Sequence, residues 1–181
     1  MTIINFNRRS PAMNLHHRYF IATFLMVLNI AGCESQGSQS VGVTGIVYNY
    51  SDETIAFVRV NGKEIGRGID EARPGEVKGG SGICCFALEK AASKARVEIT
   101  FWDKSQHETT ATIEKWWPDL AHYGVIHILP GRKVVMEVRS VHTWPRKDLM
   151  ENQLKLLGIK PAYNYTGPMN KGPMERTDGV K

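Results

Sequence analysis

Two adjacent cysteines, Cys84 and Cys85, are the residues whose types and spacing most directly suggest chemistry. In an oxidising compartment two thiols seldom stay free, yet adjacent Cα atoms lie about 3.8 Å apart, below the usual disulfide window of about 4.4–6.8 Å. A bond between the sulfurs would close a strained ring that is easier to reduce than a structural disulfide. The pair predicts either a vicinal disulfide, acting as a rigid knuckle or redox element, or two half-buried thiols with side chains on opposite faces of a strand.

A glycine-rich segment, Lys78-Gly79-Gly80-Ser81-Gly82, comes just before this pair. It does not match the Walker A phosphate loop, because no Gly-Lys-Ser/Thr follows the four-residue spacer. Glycine tolerates positive φ, so we expect a bend here that leads Cys84 and Cys85 into a strand.

The remaining polar residues form no recognised catalytic or metal-binding motif. His107, His122, His127 and His142 lack the HExxH spacing and other zinc-ligand spacings, and no serine lies in a GxSxG elbow. A reactive cysteine thiolate would need a cationic neighbour, which the sequence alone does not locate. The sequence therefore predicts no catalytic residue, no metal and no cofactor, and favours a protein that is not an enzyme.

The third cysteine, Cys33, comes directly after a segment that has the pattern of a secretory signal. Basic residues ending at Arg18 precede a mostly apolar run, 19–30, which closes on small residues. This run is too short for a permanent membrane span, which needs about 20 apolar residues; the alternative is a buried core helix. Ile30-Ala31-Gly32-Cys33 resembles the lipobox of bacterial lipoproteins, which implies that residues 1–32 are a signal peptide and that Cys33 carries acyl chains.

A polar tether follows the cysteine, so that residues 33–42 are predicted to be a lipidated residue and a flexible linker. Several acyl chains on one residue make a durable membrane anchor. Glu34 stands where lipoproteins of the inner membrane usually carry aspartate, which favours the outer membrane, with the domain facing the periplasm. Met13 is an alternative start that would leave these predictions unchanged.

The charge of the chain does not favour nucleic-acid binding. The formal net charge is +5, but residues 1–32 carry three arginines and no acid, which leaves 20 basic residues against 18 acidic ones. Nucleic-acid binding requires basic charge clustered on the folded domain. We therefore expect no nucleic-acid partner.

The body of the chain has the apolar alternation of β-strands. Strands are predicted in six segments: 43–50, 54–60, 96–102, 107–114, 123–129 and 133–141. Short connections between them contain turn pairs such as Ser51-Asp52 and Asn61-Gly62. Six or seven short strands at these spacings predict a mainly β fold, either a β-sandwich of immunoglobulin-like or related type or a small barrel.

One helix is expected after this series, beginning near Pro145, because Leu149, Met150, Leu154 and Leu157 recur with helical period. The domain is therefore 43–160, a β-sandwich with one C-terminal helix. Residues 161–181 are rich in proline and glycine and predict an irregular tail. Tyr163, Tyr165, Met169 and Met174 would hold part of this tail against the domain.

Trp116 and Trp117 are predicted to lie in a loop between two strands. Aromatic residues in loops are favoured anchors of protein interfaces, which makes the two tryptophans candidate partner-binding residues. The alternative interpretation is that one or both close the end of the sandwich.

Four short motifs, in this order, resemble the domain-of-unknown-function 3304 family of proteobacterial lipoproteins over about Thr44–Val141. They are Tyr48–Asp52, Val60–Gly62, the glycines leading into Cys84-Cys85, and Val97–Trp102. The family has no established enzymatic activity, and some members are encoded beside lipase effectors of type VI secretion systems. The resemblance implies a membrane-anchored immunity protein that binds a phospholipase effector, and it carries over no catalytic residue.

Two other functions compete with this one. The chain would instead be a structural or assembly lipoprotein of the envelope without a toxin partner, or an enzyme that uses Cys84 or Cys85 in thiol-disulfide chemistry. A lipase gene next to this one would favour the immunity function.

Overall fold

The computed structural model describes residues 39–160 and 165–177. In this part of the chain there are eight strands, followed by one α-helix. Their bounds are β1 Ser40–Asn49, β2 Ile55–Val60, β3 Lys63–Ile69, β4 Lys78–Glu89, β5 Lys94–Phe101, β6 Gln106–Thr112, β7 Tyr123–Leu129, β8 Lys133–Arg139 and α1 Lys147–Leu156.

The strands form two four-stranded sheets. The first has the order β4-β1-β7-β8 and the second β3-β2-β5-β6. Neighbouring strands are antiparallel except for β1 and β7, which run parallel. The predicted β-sandwich with one C-terminal helix is confirmed.

The main core lies between the two sheets. It contains Val43 and Val47 of the first sheet and Val58, Val97 and Ile99 of the second, all of them buried. Fully burying a side chain of this kind contributes about 1.5–3 kcal/mol. These residues alternate with others along their strands, as the period-2 pattern predicts.

A second apolar cluster covers the outer face of the first sheet. Tyr48 and Tyr50 pack there against Met150 and Leu154 of α1, and Tyr165 of the tail contacts the same cluster. The central strands of the first sheet, β1 and β7, are therefore buried on both faces, with an unbroken run of five buried residues in each, whereas the edge strand β4 is largely exposed. The one-sided alternation expected from the sequence holds best in β5 and β6 of the second sheet.

The connection between β1 and β2 is short, as expected, but it passes from one sheet to the other. Asn49 directs the chain here, since its Oδ1 accepts hydrogen bonds from the backbone N–H and the hydroxyl of Ser51. Its Nδ2 donates to the carbonyl oxygens of Glu53 and Asp70. By contrast, Asn61-Gly62 forms a hairpin turn between β2 and β3, with both residues at positive φ.

Two predicted boundaries differ from the structure. The tether was expected to extend to Gly42, but β1 begins at Ser40 because β4 is long enough to pair with it as far as Glu89. The described tail is irregular except at Asn170, whose backbone pairs with that of Pro145 and Lys147. The signal peptide, Cys33 and the first part of the tether lie outside the described residues.

Candidate functional site

The cysteine pair lies in β4, which is an edge strand of the first sheet. Cys84 and Cys85 are both exposed, and their sulfurs are joined in a disulfide. Of the two arrangements left open by the sequence, the structure has the vicinal disulfide. The hydroxyl oxygen of Thr44, on the neighbouring strand, lies 4.0 Å from Cys85 Sγ.

The glycines before the pair lie inside β4 and not in a bend that precedes it. Gly79 and Gly80 have φ of +102° and +98°, and a Cβ on Gly79 would collide with the carbonyl oxygen of Val47. The glycines therefore allow close approach of β1 and β4 at an irregular point of the ladder. Together with Arg67 and Asp70 of the other sheet's edge they line an open cleft of about 470 Å³.

The two tryptophans of the candidate interface are half-buried. Trp116 packs against the main core, and its indole N–H donates to the carbonyl oxygen of Ala92 at 2.8 Å. Trp117 lies under two cations, with Lys115 Nζ 5.4 Å and Arg176 Cζ 5.9 Å from the ring centroid. Trp116 thus helps to close the sandwich, and a partner-binding role for either residue stays a prediction.

A buried polar network on the outer face of the first sheet was missed by the sequence analysis. The Tyr50 hydroxyl lies 3.1 Å from His127 Nδ1, and His127 Nε2 lies 3.0 Å from Glu137 Oε1. Arg146 Nη1 and Arg139 Nη2 donate to Glu137 Oε2 at 3.2 Å and 2.7 Å. In a strand with one buried face Glu137 would lie on the polar side of β8, but α1 and the tail cover that side and bury it.

Hydrogen bonds and charge keep the carboxylate of this network ionised. Burial by itself raises the pKa of Glu137, but the contacts with His127 and Arg139 outweigh it and lower the pKa to about 2. Burial likewise tends to lower the pKa of Arg146, and ion pairs with Asp148 and Glu114 reverse the effect and raise that pKa.

The tyrosines of the network are held neutral. Burial raises the pKa of Tyr50 well above its usual range, as it does for Tyr48, whose ring stacks on that of His127 at a centroid distance of 5.8 Å. The Tyr50 hydroxyl also accepts from the backbone N–H of Arg146 at 2.7 Å. Although tyrosine, histidine and glutamate in line can move protons, a substrate could not reach these side chains, because all three are buried. The network joins the first sheet to the start of α1.

An apolar patch lies at the other end of α1. Leu156, Leu157 and Ile159 are 83%, 52% and 41% exposed. The two leucines line a cleft of about 170 Å³, together with Leu129 and Gln153. Among the described residues, Gln153 Oε1 is a buried atom without a hydrogen-bond partner, while its Nε2 donates to the carbonyl oxygen of Tyr50.

No three His, Cys, Asp or Glu side chains in 39–160 and 165–177 are grouped so as to bind a metal ion. In the same ranges, no helix has the length and hydropathy required to cross a bilayer.

Comparison with family models, with curated proteins and with solved structures finds no match to this chain. The resemblance to the domain-of-unknown-function 3304 family therefore stays a prediction.

Proposed function

We propose that this chain is a membrane-anchored periplasmic lipoprotein whose β-sandwich binds another protein. The partner class that we propose is a phospholipase effector of a type VI secretion system, which makes the chain an immunity protein. Cys33 carries the acyl chains, and the domain that begins in β1 carries the binding surface. We assign no catalytic role to any residue.

The observation that carries the binding proposal is the apolar patch Leu156, Leu157 and Ile159. Large apolar side chains clustered at one place on a surface mark interaction sites more often than scattered ones do. Leu156 and Leu157 also border the cleft, so the patch combines exposed apolar area with a concave surface. Both are features of sites that receive a partner's side chain.

The location of the patch favours a protein partner over the bilayer that anchors Cys33. β1 starts at Ser40, within the segment predicted as the tether, and β7 runs parallel to it and ends at Leu129, which lines the cleft. β1 has 10 residues, and an extended strand of that length spans about 30 Å. The cleft therefore lies about that far along the sandwich from the point where the tether joins.

The chemistry of the cleft limits what would fill it. Five of the eight residues that line it are leucine or proline. An apolar or aromatic side chain of the partner would fill this space.

The anchor contributes to inhibition by holding the binding surface close to the membrane, where a phospholipase acts. Tethering raises the effective concentration of the binding domain toward a target on the same surface. Inhibition would then follow from steric occlusion of the effector's active site. The resemblance described above supports this choice of partner.

The proposal is tested by measuring binding between the mature chain and a lipase effector encoded beside it, by calorimetry. Leu156→Glu and Leu157→Glu place a charge on the patch and should weaken binding at least tenfold, since a buried unpaired charge costs several kcal/mol. Trp102→Glu is the matched control, because Trp102 is 74% exposed and lies in the turn that follows β5 of the second sheet. Equal binding by all four proteins would contradict the role of the patch.

The mature chain that is purified for the calorimetry also tests the partner class. If a neighbouring lipase does not bind, and no protein co-purifies from native membranes in stoichiometric amount, the immunity function is wrong. A structural envelope lipoprotein would then be the better interpretation, and deletion of the gene should weaken the outer membrane in cells that lack any secretion effector.

A further inference from the structure

The disulfide Cys84–Cys85 occupies a position that a reagent in solution can reach. β4 pairs with β1 on one side and forms the edge of the first sheet on the other. Both cysteines are exposed. Structural disulfides are usually buried and resistant to reduction, whereas exposed ones exchange more readily.

A β-bulge explains how adjacent cysteines can be joined in a strand. Val43 lies opposite Phe86 and Gly45 opposite Ile83, so that Thr44 faces two residues, Cys84 and Cys85. In a regular strand adjacent side chains point to opposite faces, which keeps their sulfurs apart. The extra residue of a bulge breaks this alternation locally, and here it coincides with the bond.

Thr44 makes the two sulfurs inequivalent. Its Oγ1 is 4.0 Å from Cys85 Sγ, and a sulfur in a disulfide carries no proton, so the hydroxyl is the donor. A hydrogen bond of this kind stabilises the negative charge that forms on a sulfur when it leaves. Attack by a thiolate on Cys84 Sγ, with Cys85 Sγ as the leaving group, is therefore the favoured direction.

We propose that Cys84–Cys85 is a reversible thiol-disulfide exchange site that takes a dithiol as its reductant. A thiolate of the dithiol attacks Cys84 Sγ, the bond between Cys84 and Cys85 breaks, and a mixed disulfide forms while Cys85 leaves as a thiolate and takes up a proton. The second thiol of the dithiol then displaces Cys84. The dithiol becomes a disulfide, and the protein gains two electrons and two protons.

The site acts here as an electrophile, so it needs no cationic neighbour to activate a thiolate of its own. The cationic neighbour that a catalytic thiolate requires is therefore not needed at this site. The exchange site uses neither the apolar patch nor the protein partner, so its failure would leave the proposed function intact.

Differential alkylation of the mature protein, purified from membranes, tests the redox state. Trypsin cleavage after Lys78 and Lys90 releases a peptide whose cysteines are Cys84 and Cys85 alone. The peptide should take up no light N-ethylmaleimide before reduction and two heavy labels after dithiothreitol treatment of the folded protein. Light label on both cysteines, or resistance to dithiothreitol until the protein is unfolded, would overturn the proposal.

The direction of attack is tested with glutathione, a monothiol, followed by rapid alkylation and peptide fragmentation. We expect glutathione on Cys84 and the alkyl group on Cys85. Thr44→Val should slow exchange about two- to tenfold, the effect of losing one hydrogen bond, whereas Thr110→Val, at an exposed site in β6, should not change the rate. Adducts mainly on Cys85, or equal rates for all three proteins, would contradict the assigned direction.

Discussion

Nε2 of His127 lies 3.0 Å from Oε1 of Glu137, and neither side chain reaches solvent. The two residues belong to neighbouring strands, β7 and β8, on the face that α1 and the tail cover. Because Arg146 also contacts this carboxylate just before α1 begins, the pair joins the helix to the sheet. We therefore expect Glu137 to have a large effect on stability.

Glu137→Gln should destabilise the protein by about 3 kcal/mol. Removing one partner of a buried ion pair leaves the remaining charge without compensation, and here Arg146 and Arg139 both lose a carboxylate oxygen. Urea unfolding followed by tryptophan fluorescence measures the change.

Glu108→Gln is the matched control for this substitution. Glu108 accepts two hydrogen bonds from Arg96, but the pair is largely exposed. Exposed pairs contribute little to stability, because water and salt screen them. Equal losses for the two variants would show that the buried network does not stabilise the fold.

Acid should destabilise the protein through the same residue. The pKa of Glu137 is lowered from 4.5 to about 2 in the folded protein, so its contribution is fully present above about pH 4.5 and is lost as the pH falls toward 2. A shift of this size corresponds to about 3 kcal/mol. The difference in unfolding free energy between wild type and Glu137→Gln should therefore shrink across this range, and a difference independent of pH would contradict the ionised carboxylate.

The polar network illustrates where sequence patterns stop being informative. Alternation along β8 identifies two faces but does not indicate that both are covered, because the covering elements, α1 and the tail, lie far along the chain. The nearly continuous apolar run of β7, interrupted by His127, was the available signal. A histidine amid apolar neighbours indicates a strand buried on both faces and a polar partner close by.

Trp116→Phe should cost about 1–3 kcal/mol. The substitution removes the hydrogen bond to the Ala92 carbonyl and leaves space at the edge of the main core. Trp102→Phe, at a largely exposed site, should change stability by less than about 0.5 kcal/mol. If the Trp116 variant is as stable as wild type, this residue does not close the sandwich, and an interface role becomes the better interpretation.

Gly79→Ala should lower stability by about 2 kcal/mol or more. Gly79 has a φ of +102°, and a side chain there would meet the Val47 carbonyl; non-glycine residues in such conformations cost about 1–3 kcal/mol. Gly42→Ala is the control, because its added methyl group meets no atom within 4 Å. A neutral Gly79→Ala would mean that β1 and β4 can separate at this point without cost.

The glycines and cysteines of β4 are a second case in which the sequence pattern does not specify the structure. The sequence predicted a bend at Gly79–Gly82 before the cysteines, whereas these glycines lie inside β4, which contains two bulges, opposite Thr44 and Val47. Their positions depend on the register with β1, which no local pattern specifies. Six of the eight described strands and the late helix were predicted, whereas β3 was missed and β4 begins earlier than expected. The side-chain contacts depend on pairing between distant segments.

Mass spectrometry of the mature N-terminus shows whether the protein is anchored by lipid. We expect the protein purified from membranes to begin at Cys33, and this residue to carry a diacylglyceryl group and an acylated amine. A chain that retains residues 1–32, or one whose Cys33 carries no lipid, would contradict the anchor and the function proposed from it.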